Sequence, residues 1–402
     1  MKTIERQITP SVAIEIASSE TSMLGLNAQI QMFGDTIRTY RCFLYNDDGE
    51  LLSVGNGKGL GDQSLASAMF ESIEHLFCTY PPDTDILYVP IHIVCSQDLL
   101  ASEVVFEILL QKYPDSIIPC RRYQSVFGSE QIAYPVFLAT PSYVNQPFLE
   151  DSFDYAIVSK YATNNGTAIG VNRTEALIHS ISELIERDAL SCFLLSTFVS
   201  RQPLPVRLID KATLPPNLLQ LIDQAESVMG IEITLIDICT DFQVPAILAV
   251  AASDVVPVPY VGSGASLSKS YACERAILET IQMFHLYSDG MIEEDIRVLN
   301  LFDQLPRYQA CVRLDFADVA KESVSYENLP TYNVQDYSLH EYLSILVQRI
   351  HIKGYKAYYV PYFTSDLGTT CLHSVIPGLE RFHLVRSGVP ALPSRRGRKL
   401  LT

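Results

Sequence analysis

The chain has 402 residues, 48% of them hydrophobic, and a formal net charge of −17. That length and apolar content suffice for a large buried core, and the acidic balance argues against nucleic acid, whose phosphates such a field repels. No run of about 18 apolar residues is present to span a membrane. The N-terminal MKTIERQITPSVAIEIASS lacks an apolar core followed by a small-residue cleavage site, so a cytoplasmic protein is expected.

In chain order, the first 50 residues read as short and strand-like, without a winged-helix pattern. TYRCFLYNDDGELLSVGNG reads as a hairpin turned by Asp47, Asp48 and Gly49. A helix opened by Asp62 or Ser64 runs to about Phe77. DILYVPIHIV reads as a buried strand, and Ser96 as the cap of an amphipathic helix ending near Lys112, before Pro114. IIPCRRYQ and QIAYPVFLAT are strand candidates, Tyr143 to Asp154 is loop-like, and helix resumes near Thr174. LPPNLLQLIDQAESVMG is a Pro-initiated helix stopped by Gly230, followed by strands IEITLIDI and VPAILAVAAS. A helix from about Ser268 to Phe284, another from Ser338 to Ile352 closed by Gly354, and the strand YKAYYVPYF complete the pattern. With no low-complexity linker and no solenoid period, the chain reads as one α+β unit. The SRRGRKL after Pro393 reads as a disordered basic tail, with a looser form of a functional tail as the alternative.

The nine cysteines are scattered singly with no CxxC spacing, which suits reduced thiols acting as small hydrophobes. The carboxylates are more informative. Ser67, Glu71 and Glu74 fall at i, i+4 and i+7 of one predicted helix, and TEALIHSISELIERDA places Glu175, Glu183, Glu186 and Arg187 on a second. Glu274, Glu279 and Gln282 lie on the third. Carboxylates on faces otherwise lined with Ala, Leu and Ile are costly unless a cation meets them. Magnesium uses one or two carboxylates and lets substrate phosphates complete its shell, and Lys58 and Arg187 offer cations for phosphate oxygens. A general acid–base pair of the glycosidase kind uses two glutamates and leaves the others, and both cations, idle. GNGKGLG is not a Walker A loop, because Lys58 is followed by Gly59.

At these residues the chain resembles the YcaO family. GKG followed by SLASAMFESIEH is similar to its first signature, NGTAIGVNRTEALIHSISELIERDA to its second, ACERAILETIQ to a third helix and VIPGLERFH to its closing segment. The matches fall in family order over about residues 50–385. The resemblance implies a YcaO-type ATP-binding fold, with mixed sheets and glutamate-bearing helices around one nucleotide site, in a single domain over 1–402 that ends in a Pro-containing basic tail, 386–402. It implies ATP and Mg2+ as cofactors, with Glu71, Glu74, Glu183 and Glu186 holding metal or nucleotide. Lys58, Ser67 and Arg187 would meet phosphate, Glu175, Glu279 and Gln282 would line the same site, and Glu183, Glu186 and Arg187 would be the catalytic set.

The implied activity is ATP-dependent cyclodehydration. A backbone amide oxygen of a ribosomally made precursor peptide is phosphorylated, and a Cys, Ser or Thr side chain closes to thiazoline or oxazoline. Thioamide or amidine formation, a carboxylate–amine ligase and a non-catalytic docking scaffold of the same fold are the alternatives. A separate E1-like or leader-binding partner, and a flavin-dependent dehydrogenase acting on the product, are further implied; a homo-oligomer stays open. Two features depart from the family pattern. His75 stands where the first signature usually has Arg, and Pro390 and Pro393 are spaced PxxP where azoline formers often end in PxPxP.

Overall fold

The computed structural model describes residues 4–79, 81 and 85–401. It matches the α+β expectation with three sheets, each of which delivers one helix to a common centre. The first sheet is the antiparallel meander Asn27–Phe33, Thr39–Tyr45 and Leu51–Gly57, whose last two strands are the predicted hairpin. The second has five strands in the order Tyr260–Ala265, Ala246–Ala251, Thr234–Asp237, Val206–Ile209 and Lys321–Val324, antiparallel except for the last pair. The third runs Ile86–Pro90, Ile117–Ser125, Tyr358–Thr364, Thr370–Val375, Thr167–Gly170, with Gln131–Pro135 also paired to Ile117–Ser125.

The helices Asp62–Thr79, Arg173–Leu194 and Lys269–Leu286 correspond to the three predicted acidic helices. Asn172 and Ser268 cap the latter two, each side chain accepting from a backbone N–H of the first turn. Ser338 and Glu341 form a capping box on Leu339–His351.

Glycines let two of these helices lie against strands backbone to backbone. A Cβ on Gly55 would stand 2.2 Å from Ser72 N, and one on Gly57 1.8 Å from Ser64 O. On the second sheet, a Cβ on Gly262 would stand 2.2 Å from Ala276 O and one on Gly264 2.4 Å from Ala272 O. Only glycine fits such a separation. Gly57→Ala is therefore expected to cost about 1–3 kcal/mol by overpacking, read as a lower denaturation midpoint, whereas alanine at Gly290, where an added Cβ meets nothing within 4 Å, disturbs no packing.

Several expectations need correction. Pro10–Met23 is a helix where the N-terminal region read as strand-like; Pro10 occupies its first turn after Thr9, a helix-start signal. The strand expected over DILYVPIHIV ends at Pro90, and Ile91–Cys95 is a short helix for which Ser96 is the C-cap; Val104–Lys112 starts after Glu103 instead. QIAYPVFLAT breaks in the same way, with strand to Pro135 and helix from Val136 to Ala139. A short apolar run does not distinguish strand from helix, and in both cases proline closes the ladder for want of an N–H. Met1, Lys2 and Thr3 of the expected strand-like start, and Thr402 at the end of the expected tail, lie outside the described residues.

The basic tail is anchored to the body of the protein, although Arg395, Arg398 and Lys399 stay exposed. Arg396 donates to both oxygens of Asp188 at 2.8 and 3.0 Å and to Asp241 at 2.6 Å. The amides of Ser394 and Gly397 both donate to Glu380 at 2.9 Å, and Arg398 pairs with Glu107. Composition showed the positive charges but not the buried acids that receive them.

Candidate active site

The three acidic helices converge on one cavity of about 350 Å3. Lys58, Ser67, Glu71, Glu74, Glu183, Glu186, Arg187, Glu279 and Gln282 all line it, as does His75. Glu175 does not. Its carboxylate accepts from Arg6 Nη1 at 3.0 Å and from the Gln7 amide at 2.8 Å, and so reaches the cavity only through Arg6, which does line it. The segment bearing Arg6 is pinned beside it, because buried Glu5 accepts from Ser266 Oγ at 2.6 Å and from the Tyr342 hydroxyl. Sequence reasoning missed Arg6, His179, Asn165 and Arg275. Two of these had a local signal: His179 lies one turn before Glu183 and Arg275 one turn before Glu279.

The electrostatics divide the cavity in two. On one side, Glu74 accepts from the Ile169 amide at 3.0 Å and Glu183 from the Gly166 amide at 3.1 Å. Burial raises the pKa of Glu74 well above the carboxylate range, and Glu71 and Glu183 push it further. Burial also raises Glu71 and Glu183, the pull of His75 on the first and of Arg187 on the second notwithstanding. On the other side, Lys58 pairs with Glu279. Burial works against ionised Glu279, but Lys58 and then Arg187 outweigh it and leave its pKa below the usual range. Arg187 stands between the halves, 3.8 Å from Glu183 and 3.4 Å from Glu186, and Glu186 in turn accepts from Ser263 Oγ at 2.7 Å. His75 accounts for the lost arginine only in part: its Nδ1 lies 2.6 Å from the Val54 carbonyl, and its Nε2 is 3.9 Å from Glu71.

Among the described residues, Arg6 Nε, Thr167 Oγ1, His179 Nε2 and Arg275 Nε are buried without a hydrogen-bond partner, and all four residues line this cavity. His179 is held neutral by burial, then by Arg6 and Arg275. Unpaired buried donors beside mutually repelling carboxylates describe a site built for a ligand carrying both anionic oxygens and a cation. Among the described residues no three His, Cys, Asp or Glu side chains form a complete metal-binding group. Another cavity, of about 550 Å3, lies near Cys192, Arg207, Asp237, Asp241 and Arg396, but its acids already meet arginines, Asp237 at 2.7 Å and Asp241 at 2.6 Å.

The model of the family described as YcaO cyclodehydratase, ATP- and Mg2+-binding, matches residues 56–380. An uncharacterized protein of Methanothermobacter thermautotrophicus is 23% identical over 415 residues, covering 98% of both chains. The structure of YcaO from Methanopyrus kandleri bound with AMPPCP and Mg2+ has a TM-score of 0.67 at 19% identity, covering 96% of each chain. A heterocyclase in complex with substrate and cofactor has a TM-score of 0.66 at 18% identity; it is matched by 94% of this chain, which spans only 54% of its length.

Proposed function

Because this chain belongs to the YcaO family, we propose that its three-helix cavity binds ATP with Mg2+ and that the enzyme activates backbone amides of a ribosomally made precursor peptide by O-phosphorylation. Closure by a neighbouring Cys, Ser or Thr then gives thiazoline or oxazoline. The observation that carries this reading is the arrangement of Glu71, Glu74 and Glu183, all raised by burial and Glu74 further by the other two, in a cavity that also holds Lys58, Arg187, Arg6 and Arg275.

In this proposal Glu71, Glu74, Glu183 and Glu186 would supply the carboxylates of the metal's side of the cavity, one or two of them reaching the ion while phosphate oxygens complete its shell. Lys58, Arg187, Arg6 and Arg275 meet the phosphates, Glu279 orients Lys58, and Ser67 and Gln282 line the nucleotide. Mg2+ and ATP together supply the phosphoryl group and the charge neutralisation that turn an amide oxygen into a leaving group. The protein then contributes chiefly position and fixed charge. Arg187 is half-buried and stands between two carboxylates, which restrict where its guanidinium can lie.

A protein nucleophile is not needed, and the thiols are poor candidates for one. Burial raises all nine, for example Cys95 to about 11 and Cys78, Cys273 and Cys311 to about 12. The substrate peptide and a separate leader-binding partner are part of the same proposal. The test incubates the full chain with ATP, Mg2+, that partner and a Cys/Ser/Thr-rich peptide. Peptide-dependent ADP release with loss of one water per modified residue supports azoline formation. Exchange of oxygen for sulfur in the peptide assigns the thioamide branch instead, and absence of any ATP turnover with a binding-competent partner defeats the proposal.

A further inference from the structure

Asn165 lines the cavity next to the loop that caps Glu183, and a side chain behind it fixes the orientation of its amide. The Asn165 N–H donates to Thr163 Oγ1 at 3.1 Å, and the following amide, of Gly166, donates to Glu183 at 3.1 Å. Behind the side chain stands His383, which closes the PGLERFH segment: Asn165 Nδ2 is 2.8 Å from His383 Nε2. His383 Nδ1 is 3.0 Å from Ser191 Oγ, and Ser191 Oγ is 2.7 Å from the carbonyl oxygen of Arg187.

The direction of each bond follows from the far end of this chain. A carbonyl only accepts, so Ser191 spends its single proton on Arg187. Ser191 Oγ therefore accepts from His383, both from its main-chain N–H at 2.9 Å and from Nδ1. A neutral ring protonated on Nδ1 leaves Nε2 as an acceptor, and the Asn165 NH2 is the group placed against it. The amide oxygen lies on the other branch of the same planar group. Among the described residues, no protein donor meets Asn165 Oδ1.

We propose that Asn165 Oδ1 is an oxygen donor to the cation bound with nucleotide at Glu71, Glu74 and Glu183, and that His383 is a positioning residue that keeps this oxygen turned into the cavity. The proposal rests on the nucleotide reading of the site. A neutral oxygen suits the place, because a further carboxylate beside these glutamates would add to their repulsion, whereas an amide carbonyl is an equally hard ligand without charge. Ser191 ties the arrangement to the main chain of Arg187, so the oxygen donor and the phosphate-facing cation are set by one hydrogen-bonded chain.

The experiment measures AMPPCP binding to the full-length chain by calorimetry across a Mg2+ titration, and again in excess EDTA. Asn165→Leu is expected to raise the Mg2+ concentration for half-maximal binding by about tenfold or more, and His383→Leu by roughly tenfold, the range for lost metal-supporting contacts. Binding in EDTA stays unchanged in both. His383→Gln, whose amide oxygen can accept from Asn165, is expected to restore most of the Mg2+ dependence. An Asn165→Leu protein with an unaltered Mg2+ requirement overturns the proposal, as does an equal loss in EDTA, which would place Asn165 on the nucleotide or the fold. Should His383→Leu not fold, Ser191→Ala breaks the same chain at its far end, and a normal Mg2+ requirement there overturns the positioning role. If the unmodified chain shows no Mg2+-dependent AMPPCP binding, the nucleotide reading itself fails, an outcome distinct from the failure of Asn165 alone.

Discussion

Glu74→Gln is expected to make the ligand-free protein more stable while abolishing Mg2+-dependent nucleotide binding and turnover. Burial, Glu71 and Glu183 all act against the ionised form of Glu74, so a neutral isostere removes repulsion from the empty site. The gain should be about 1 kcal/mol, kept small by the water that screens an open cavity. The same change removes a proposed metal ligand.

The pH dependence has a definite sign. A carboxyl whose pKa is higher in the folded state than in the unfolded one destabilises the fold fully above its folded value, and this penalty disappears as pH falls below the unfolded value. Glu71, Glu74 and Glu183 are all raised, so the ligand-free chain should gain stability as pH drops from neutrality toward the ordinary carboxylate range. Stabilisation by Mg2+ and AMPPCP should shrink over the same interval, because it needs the ionised forms. Glu279 is lowered, so its stabilising contribution is present at neutral pH and is lost only as pH falls below the ordinary carboxylate range. Thermal melts of the native chain and of Glu74→Gln, with and without ligand, decide the matter. A variant that is less stable when empty, or that still binds Mg2+–AMPPCP normally, contradicts the proposed role of the cluster.

Arg396→Ala should have the largest effect on stability. Asp188 has no exposed side-chain surface and Arg396 is 12% exposed. Truncation leaves a buried carboxylate whose remaining hydrogen bond is the Glu380 amide at 2.9 Å. Removing one partner of a buried pair costs about 3–5 kcal/mol, a large part of the stability of an ordinary domain. The double variant Asp188→Asn, Arg396→Met should recover much of that loss, since neither charge is then stranded. Chemical denaturation of the three proteins checks this. A shift in the single variant no larger than that of an exposed arginine, such as Arg297, would show that the tail carries little of the fold.

The acidic helices were legible because their information is local: Glu71 with Glu74, and Glu183 with Glu186, are neighbours on any helix, and the sequence carries their spacing directly. Arg6 was not legible, since it meets Glu175 at a sequence separation of 169 and nothing near it signals an ionic partner. The role of Arg396 was hidden for the same reason, its acids lying in the middle of one helix and in a loop after a strand. Asn165 and His383 each stand within segments that resemble family signatures, but the bond between them is a product of tertiary packing. Where the reading failed on secondary structure, at Pro90 and Pro135, a continuous apolar run hid a change from strand to helix that the proline itself marked.

The glycine-backed helices have a consequence for how ligands enter. Where main chain rests on main chain there is no cushion of side chains to compress, so the helices that carry Glu71, Glu74 and Glu279 cannot tilt inward to grip a guest. Any adjustment on loading falls to side chains rather than main chain, since the strap bearing Arg6 is itself pinned through Glu5 and Lys58 is already paired with Glu279. On the proposed reading the metal-binding side of the cavity would be a rigid anvil, and discrimination among incoming peptides would fall to the side chains that move against it.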